Sequence, residues 1–268
     1  MQGFLPKSYK RAYPFRLGTT SFIYPDHYIP NVKMLGPYLD EIELLLFESS
    51  YDSLLSKHDI KELSMLAEEF DITYDIHLPI DISLGDEDRS IRRRSIESVQ
   101  RVIDLTLPLI PSVYILHLSF NEGLSKTENV SRWQERIYKS MELLLSSGIN
   151  SRSIAIENLM YPFEWAEDVI SSLNLSVCID IGHLIRMNAD IKKVFDKHHD
   201  RTSIIHLHGV KDNLDHLSLD KLTDNETVDI MKILKTYAGI AIIEVFSYNN
   251  LQASLKYMEK CWNQRRDP

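Results

Sequence analysis

Eight short apolar runs recur along the chain, each separated from the next by a stretch of helical periodicity, and this alternation is what most limits the fold. The runs cover residues 16–20, 41–48, 72–76, 113–116, 154–156, 176–180, 203–205 and 240–243. Between and after them, helices are expected over 31–35, 57–70, 88–106, 128–147, 162–172, 191–195, 225–237 and 251–262, with a polar loop over 209–220. Strand and helix in strict alternation produce a parallel sheet, and eight such units in 268 residues fit a single closed (β/α)8 barrel, a TIM barrel. An open dinucleotide-binding sheet is disfavoured, because no glycine-rich phosphate turn follows the opening strand. The barrel is expected to occupy residues 16–268, with residues 1–15 a loose N-terminal tail.

The residues that close these runs carry the chemistry. His77, His117, Glu157, Asp180, His206 and Glu244 each stand at a strand end, and His183 follows Asp180 by three positions. In a barrel all C-terminal strand ends face one rim, so residues more than a hundred positions apart converge there. Histidine and carboxylate are metal ligands, and His77, His117, Glu157, Asp180, His183, His206 and Glu244 exceed the needs of one ion. Two or three divalent ions, Zn, Mn or Fe, are therefore expected at the rim, with Glu157 as a shared carboxylate and Glu157, Glu244 and Asp180 as the catalytic acids. Such paired ions can stabilise both the attacking and the leaving oxygen of a phosphoryl displacement, which makes phosphoester hydrolysis the reaction that best uses the set.

Glu48, His208, Asp215 and His216 could add ligands or support them from behind, whereas Glu41 and Glu43 read as structural or solvent-facing. His27, His58, His198 and His199 lie off the pattern and read as surface. Trp133, Trp165 and Trp262 fall on helical spacing as packing residues, and Arg89, Arg92, Arg93 and Arg94 as a solvated helix face. A competing reading is a sugar isomerase or epimerase, in which Glu157, Asp180, His206 and Glu244 hold one ion and two glutamates move a proton beside a carbonyl. That site would leave His77 and His117 without a task. A non-catalytic metal carrier would not need so many open-site carboxylates.

The net charge of −9 argues against a protein that grips a long phosphate backbone, so a DNA-repair endonuclease is disfavoured and a small-molecule substrate expected. Two cysteines, Cys178 and Cys261, cannot build a disulfide framework. With no secretory h-region and no run of about 18 apolar residues, the chain reads as cytoplasmic and away from membranes.

The order of these strand-end residues resembles the xylose isomerase-like barrel superfamily, which includes apurinic endonucleases of the endonuclease-four type and many sugar isomerases and epimerases. Within it, five strings are similar to the cobamide-remodelling phosphodiesterase family. They are Leu17-Gly18-Thr19-Thr20-Ser21-Phe22-Ile23-Tyr24-Pro25, Glu43-Leu44-Leu45-Leu46-Phe47-Glu48, His77-Leu78-Pro79, Cys178-Ile179-Asp180-Ile181-Gly182-His183-Leu184 and His206-Leu207-His208-Gly209. That resemblance implies hydrolysis of the phosphodiester in the nucleotide loop of a vitamin B12-type corrinoid (a cobamide), giving cobinamide phosphate and an α-riboside such as α-ribazole. Carried over from the endonuclease pattern, it implies one ion on His77, His117 and Glu157 and another on Glu157, Asp180, His206 and Glu244. His183 would join a third with the pair after the seventh strand, where Asp215 and His216 are adjacent rather than spaced as Asp-x-His.

Overall fold

The structure, a computed structural model, describes residues 3–120 and 127–263. Eight parallel strands close on themselves: β1 (Arg16–Thr20), β2 (Glu41–Leu45), β3 (Thr73–His77), β4 (Tyr114–Leu116), β5 (Ile154–Glu157), β6 (Ser176–Asp180), β7 (Thr202–Leu207) and, beyond a separate β8–β9 hairpin, β10 (Ile240–Ile243). Their order around the barrel is β1-β10-β7-β6-β5-β4-β3-β2, returning to β1, so the expected (β/α)8 barrel is the fold observed. Strand alternation sorts the side chains. Val113, Ile115, Ala155, Cys178, Ile204, Ile240 and Ile242 pack together inside the barrel. Their neighbours Val177, Ile179, Ile205 and Ile243 face outward into the main core under the helices.

The surrounding helices are α1 (Tyr28–Leu35), α2 (Lys57–Phe70), α3 (Arg89–Thr106), α4 (Thr127–Leu145), α5 (Glu164–Ser172), α6 (Ile181–Arg186), α7 (Ile191–His198), α8 (Asp224–Thr236) and α9 (Tyr248–Asn263). Their starts follow capping chemistry. Ser56 with Asp59 and Thr223 with Glu226 form reciprocal capping boxes on α2 and α8, and Asp88 caps α3. α4 ends shortly before Gly148, whose φ of 94° only glycine adopts freely. Trp133 is buried and donates to the Ser119 carbonyl at 3.0 Å, as its packing role requires.

Three expectations are corrected. The region 209–220 is not a plain loop, since it forms an antiparallel hairpin of β8 (Gly209–Lys211) and β9 (Leu214–Leu217). Its turn puts Asp212 and Asn213 at φ 51° and 64°, the left-handed pair that a tight hairpin needs and that short polar side chains tolerate. The short helix α6, which begins directly at the end of β6, was not expected. Finally, the described part of the N-terminal segment is docked rather than loose. Leu5, Tyr9 and Phe15 are buried, Lys7 pairs with Glu259 on α9, and Lys10 donates to the Asp71 carbonyl at 3.0 Å. Tyr13, Phe15 and Trp262 meet as rings 5.0–5.9 Å apart.

Leu5→Ala should therefore destabilise the protein by about 2 to 3 kcal/mol, the usual loss for a buried leucine, as a lower urea midpoint with an unchanged slope. An unshifted midpoint would mean the segment contributes nothing to the core.

Candidate metal centre

The interior face of the barrel changes character toward its C-terminal rim. Above the apolar layer, β3, β5, β6, β7 and the residue following β10 present His77, Glu157, Asp180, His206 and Glu244, all at most 4% exposed. His117 follows β4 at the same level. Glu157 is the hub: its Oε2 lies 2.9 Å from His117 Nε2 and 3.4 Å from His77 Nε2, and its Oε1 lies 3.4 Å from His183 Nδ1 and 3.9 Å from His206 Nδ1. Ligand atoms of His77, His117 and Glu157 lie within 4.8 Å of one another, as do those of Asp180, His206 and Glu244. The sequence-expected residues thus converge, with Glu157 grouped with His77 and His117 and again with Cys178 and His206, whereas the Asp180–His206–Glu244 group does not include it. His208, His216 and Glu244 form a further group of the same kind, next to one made by Asp180, His183 and His208.

Hydrogen bonds behind the imidazoles decide which nitrogen each ring offers. His77 Nδ1 faces the Leu78 carbonyl at 3.0 Å and His183 Nδ1 the Asn158 carbonyl at 3.0 Å, so each donates there and keeps an Nε2 lone pair. His216 Nδ1 sits 3.1 Å from Asp215 Oδ1, which leaves its Nε2 directed at Glu244 Oε1, 3.5 Å away. His208 differs. Its Nδ1 accepts the His216 backbone N–H at 3.0 Å and its Nε2 donates to Asp180 Oδ1 at 3.1 Å, so both nitrogens are engaged and the ring orients Asp180 instead of offering a lone pair. Of the two β7 histidines, His206 is the one suited to a cation.

Buried polar atoms without hydrogen-bond partners supply the test of whether the residues fit a metal. Both ring nitrogens of His206 and Oε2 of Glu244 are such atoms, with His206 Nδ1 and Glu244 Oε2 only 3.2 Å apart. Buried polar groups are almost always paired, and a cation between these two would pair both. The donor set, imidazole nitrogen and carboxylate oxygen with no thiolate needed, suits Zn, Mn or Fe. Without a cation, protons compensate. Burial opposes charging of His77, but the Glu157 hydrogen bond and the Glu43 carboxylate outweigh it and raise its pKa. Burial likewise opposes ionisation of Glu157 and Glu244, yet the histidines around them hold both carboxyls well below the usual range. His216, despite burial, is raised to about 9 by its contacts with Glu244 and Asp215.

Several expected roles shift. Glu48 lies outside the cluster, exposed, and accepts from the Ser53 hydroxyl, because the chain leaves β2 at Leu45. Asp215 pairs with Arg186 and His216, so it steers His216 and does not itself enter a ligand group among the described residues. Glu43 is not solvent-facing: it is fully buried with Oε1 3.3 Å from His206 Nε2. Neither of these two atoms has another partner. Glu41 is also buried, 3.2 Å from Arg16, and accepts from Thr73. Asp75 lies beside them, its pKa pushed well up by burial and by the like charges of Glu43 and Glu41. His198 is buried rather than surface, 3.1 Å from Glu167 Oε1. Sequence reasoning missed Asn158, whose side chain clamps the Asp180 backbone by accepting its N–H at 2.7 Å and donating to its carbonyl at 2.9 Å.

A closed (β/α)8 barrel whose inner wall turns from apolar to imidazole and carboxylate at the rim defines a class of barrel built for catalysis there. Residues 32–261 match the family described as Xylose isomerase-like TIM barrel, and the chain belongs to that family. Among solved structures it is similar to a D-tagatose 3-epimerase-like protein (18% identity, TM-score 0.77, covering 94% of this chain and 100% of that one). It is also similar to D-psicose 3-epimerase from Clostridium cellulolyticum (14%, TM-score 0.71, 92% and 99%) and to endonuclease IV from Thermus thermophilus (18%, TM-score 0.68, 93% and 99%). At such identities the likeness is one of fold. No curated protein matches the sequence.

Gly182 explains the Asp180-Ile181-Gly182-His183 turn: a Cβ there would fall 1.9 Å from His208 Cε1. The ring cannot retreat, being pinned from both nitrogens. Gly182→Ala should therefore misplace Asp180 through His208 and weaken binding of Zn or Mn by about tenfold or more in calorimetric titration, with the far-ultraviolet spectrum retained. Wild-type affinity in this variant would remove His208 from the support of the centre.

Proposed function

We propose that the protein is a divalent-metal-dependent phosphodiesterase that cleaves the nucleotide-loop phosphodiester of cobamides, releasing cobinamide phosphate and an α-riboside such as α-ribazole, for cobamide remodelling or salvage. The observation that carries the hydrolytic class is the pair of ligand groups flanking Glu157. His77 and His117 meet one of its oxygens while His183 and His206 approach the other. A one-ion proton-transfer site needs only Asp180, His206, Glu244 and Glu157, and would bury His77 and His117 against the same glutamate without use. The cobamide substrate rests on the strand-end strings in the sequence, from Leu17 to Pro25 through to His206-Leu207-His208-Gly209.

Bound divalent ions would supply the charge that activates water and stabilises the phosphoryl transition state. Glu157 would join the His77–His117 group to the Asp180–His206–Glu244 group. Asp180 is held for its part by Asn158 and His208, and His216 by Asp215. The side chains of His117, His183 and His216 are the ones that reach solvent, at 18%, 13% and 24% exposure, so the phosphodiester enters on their side.

The test is product analysis by liquid chromatography with mass detection after metal-loaded protein meets adenosylcobalamin under anaerobic conditions, beside a chelator-treated control and a parallel incubation with D-psicose. Release of α-ribazole and cobinamide phosphate that chelator abolishes is the expected result. Intact cobamide together with epimerised ketohexose would transfer the assignment to the sugar epimerases of the fold. Glu157→Gln, which keeps the shape but removes the shared charge, should lower turnover by more than about a hundredfold while the fold persists; wild-type turnover would sink the bridging role.

A further inference from the structure

The rim beside the metal-ligand cluster is aromatic. Phe47, Phe22 and Phe246 follow β2, β1 and β10, three strands that are neighbours in the barrel. Phe47 stands edge-on to the His77 ring at 4.8 Å and Phe246 lies 5.0 Å from the His216 ring, so the arc borders the cluster at both ends. Phe22 and Phe246 are 38% and 43% exposed, a large apolar area to leave in water beside a polar centre. Two recesses open on either side of Phe22: one of about 680 Å³ toward Phe47, Tyr28 and Leu45, the other of about 760 Å³ toward Phe246. The Tyr28 hydroxyl is tied to the Leu45 carbonyl at 2.8 Å, which fixes that ring as a wall. Farther round, Ile80, Met160 and Met187, on the segments after β3, β5 and β6, are also exposed.

Charge narrows the occupant. Asp26, Glu48, Asp52 and Asp59 border the recesses, and among the described residues no lysine or arginine does. An anionic group is repelled there, and a small polyol would leave the exposed Phe22 and Phe246 rings uncovered. A broad ring that is uncharged or cationic, edged with amide N–H donors for the carboxylates, fits both the rings and the charge.

We propose that the Phe47–Phe22–Phe246 arc is the subsite for the corrin macrocycle, holding it against the rim while the phosphodiester reaches the ligand cluster. The identity of the macrocycle rests on the cobamide reading above; the apolar, non-anionic character of the subsite rests on the arc itself. The subsite separates substrates by their bulk apolar ring, ahead of any discrimination at the phosphorus.

Equilibrium dialysis of chelator-treated full-length protein with cobinamide, which has the macrocycle and lacks the nucleotide loop, tests this through the visible absorption of the corrin. Wild type should bind, and the Phe22→Ser, Phe246→Ser double variant should bind about thirtyfold more weakly. Met65→Ser, an exposed change on α2, should bind as wild type does. Thermal melts followed by circular dichroism verify that the variants fold; the targeted rings are solvent-exposed, so their melts should match. Absence of cobinamide binding by wild type, or equal binding by the double variant, overturns the subsite. The two readings separate cleanly: ring-dependent binding of cobinamide without cleavage of adenosylcobalamin keeps the subsite and defeats the phosphodiesterase, and cleavage without ring-dependent binding does the reverse.

Discussion

The structure depends on a charge constraint. Glu157, Asp180, Glu244, Glu43 and Asp75 all lie inside one barrel, each at most 4% exposed. An ionised carboxylate kept from water costs several kcal/mol unless a cation or a set of hydrogen bonds meets it. Every polar residue around the rim answers that demand: His77 and His117 at Glu157, His208 and Asn158 at Asp180, His216 at Glu244. The answer is incomplete at His206 Nδ1 and Glu244 Oε2, which have no hydrogen-bond partner among the described residues. Asp75 is met differently: burial and the neighbouring Glu43 and Glu41 carboxylates push its pKa well up. The barrel interior therefore joins an apolar cluster to a polar one in which carboxyl and imidazole groups lie side by side.

This layering explains why one fold can serve sugar epimerases and an endonuclease alike. The apolar inner layer and the outward-facing residues that hold the helices are indifferent to the reaction. What the chemistry needs is concentrated in the last inward residue of each strand and the few that follow. Strand-end features such as the adjacent Asp215 and His216 within a hairpin, or the phenylalanines after three neighbouring strands, sit on this architecture without altering it.

Much of this was legible in the sequence. Strand lengths and helix periodicity pointed to the barrel, and once strand ends must face one rim, His77, His117, Glu157, Asp180, His206 and Glu244 had to meet. The parts that were hidden share a physical cause. The alternation in Glu41-Ile42-Glu43-Leu44 separates two faces, but because both are buried it does not say that the glutamate face turns to the axis, or that the strand stops before Glu48. Two histidines on one face of β7 look equivalent until the hairpin supplies the backbone N–H that occupies His208. The hairpin itself had a signal, the Asp212-Asn213 pair, that polarity alone disguised as a loop. The docked N-terminal segment is irregular, with no period to read, and only its contacts with α9 and the Asp71 carbonyl reveal it.

The candidate ligand residues come from separate βα units that span the chain from His77 to Glu244, and no single unit contains a full group. No isolated βα unit therefore brings such a group together. The groups that include Glu244 form only once the final strand, β10, lies between β7 and β1. The complete set from His77 to Glu244 thus meets only in a chain whose barrel has closed.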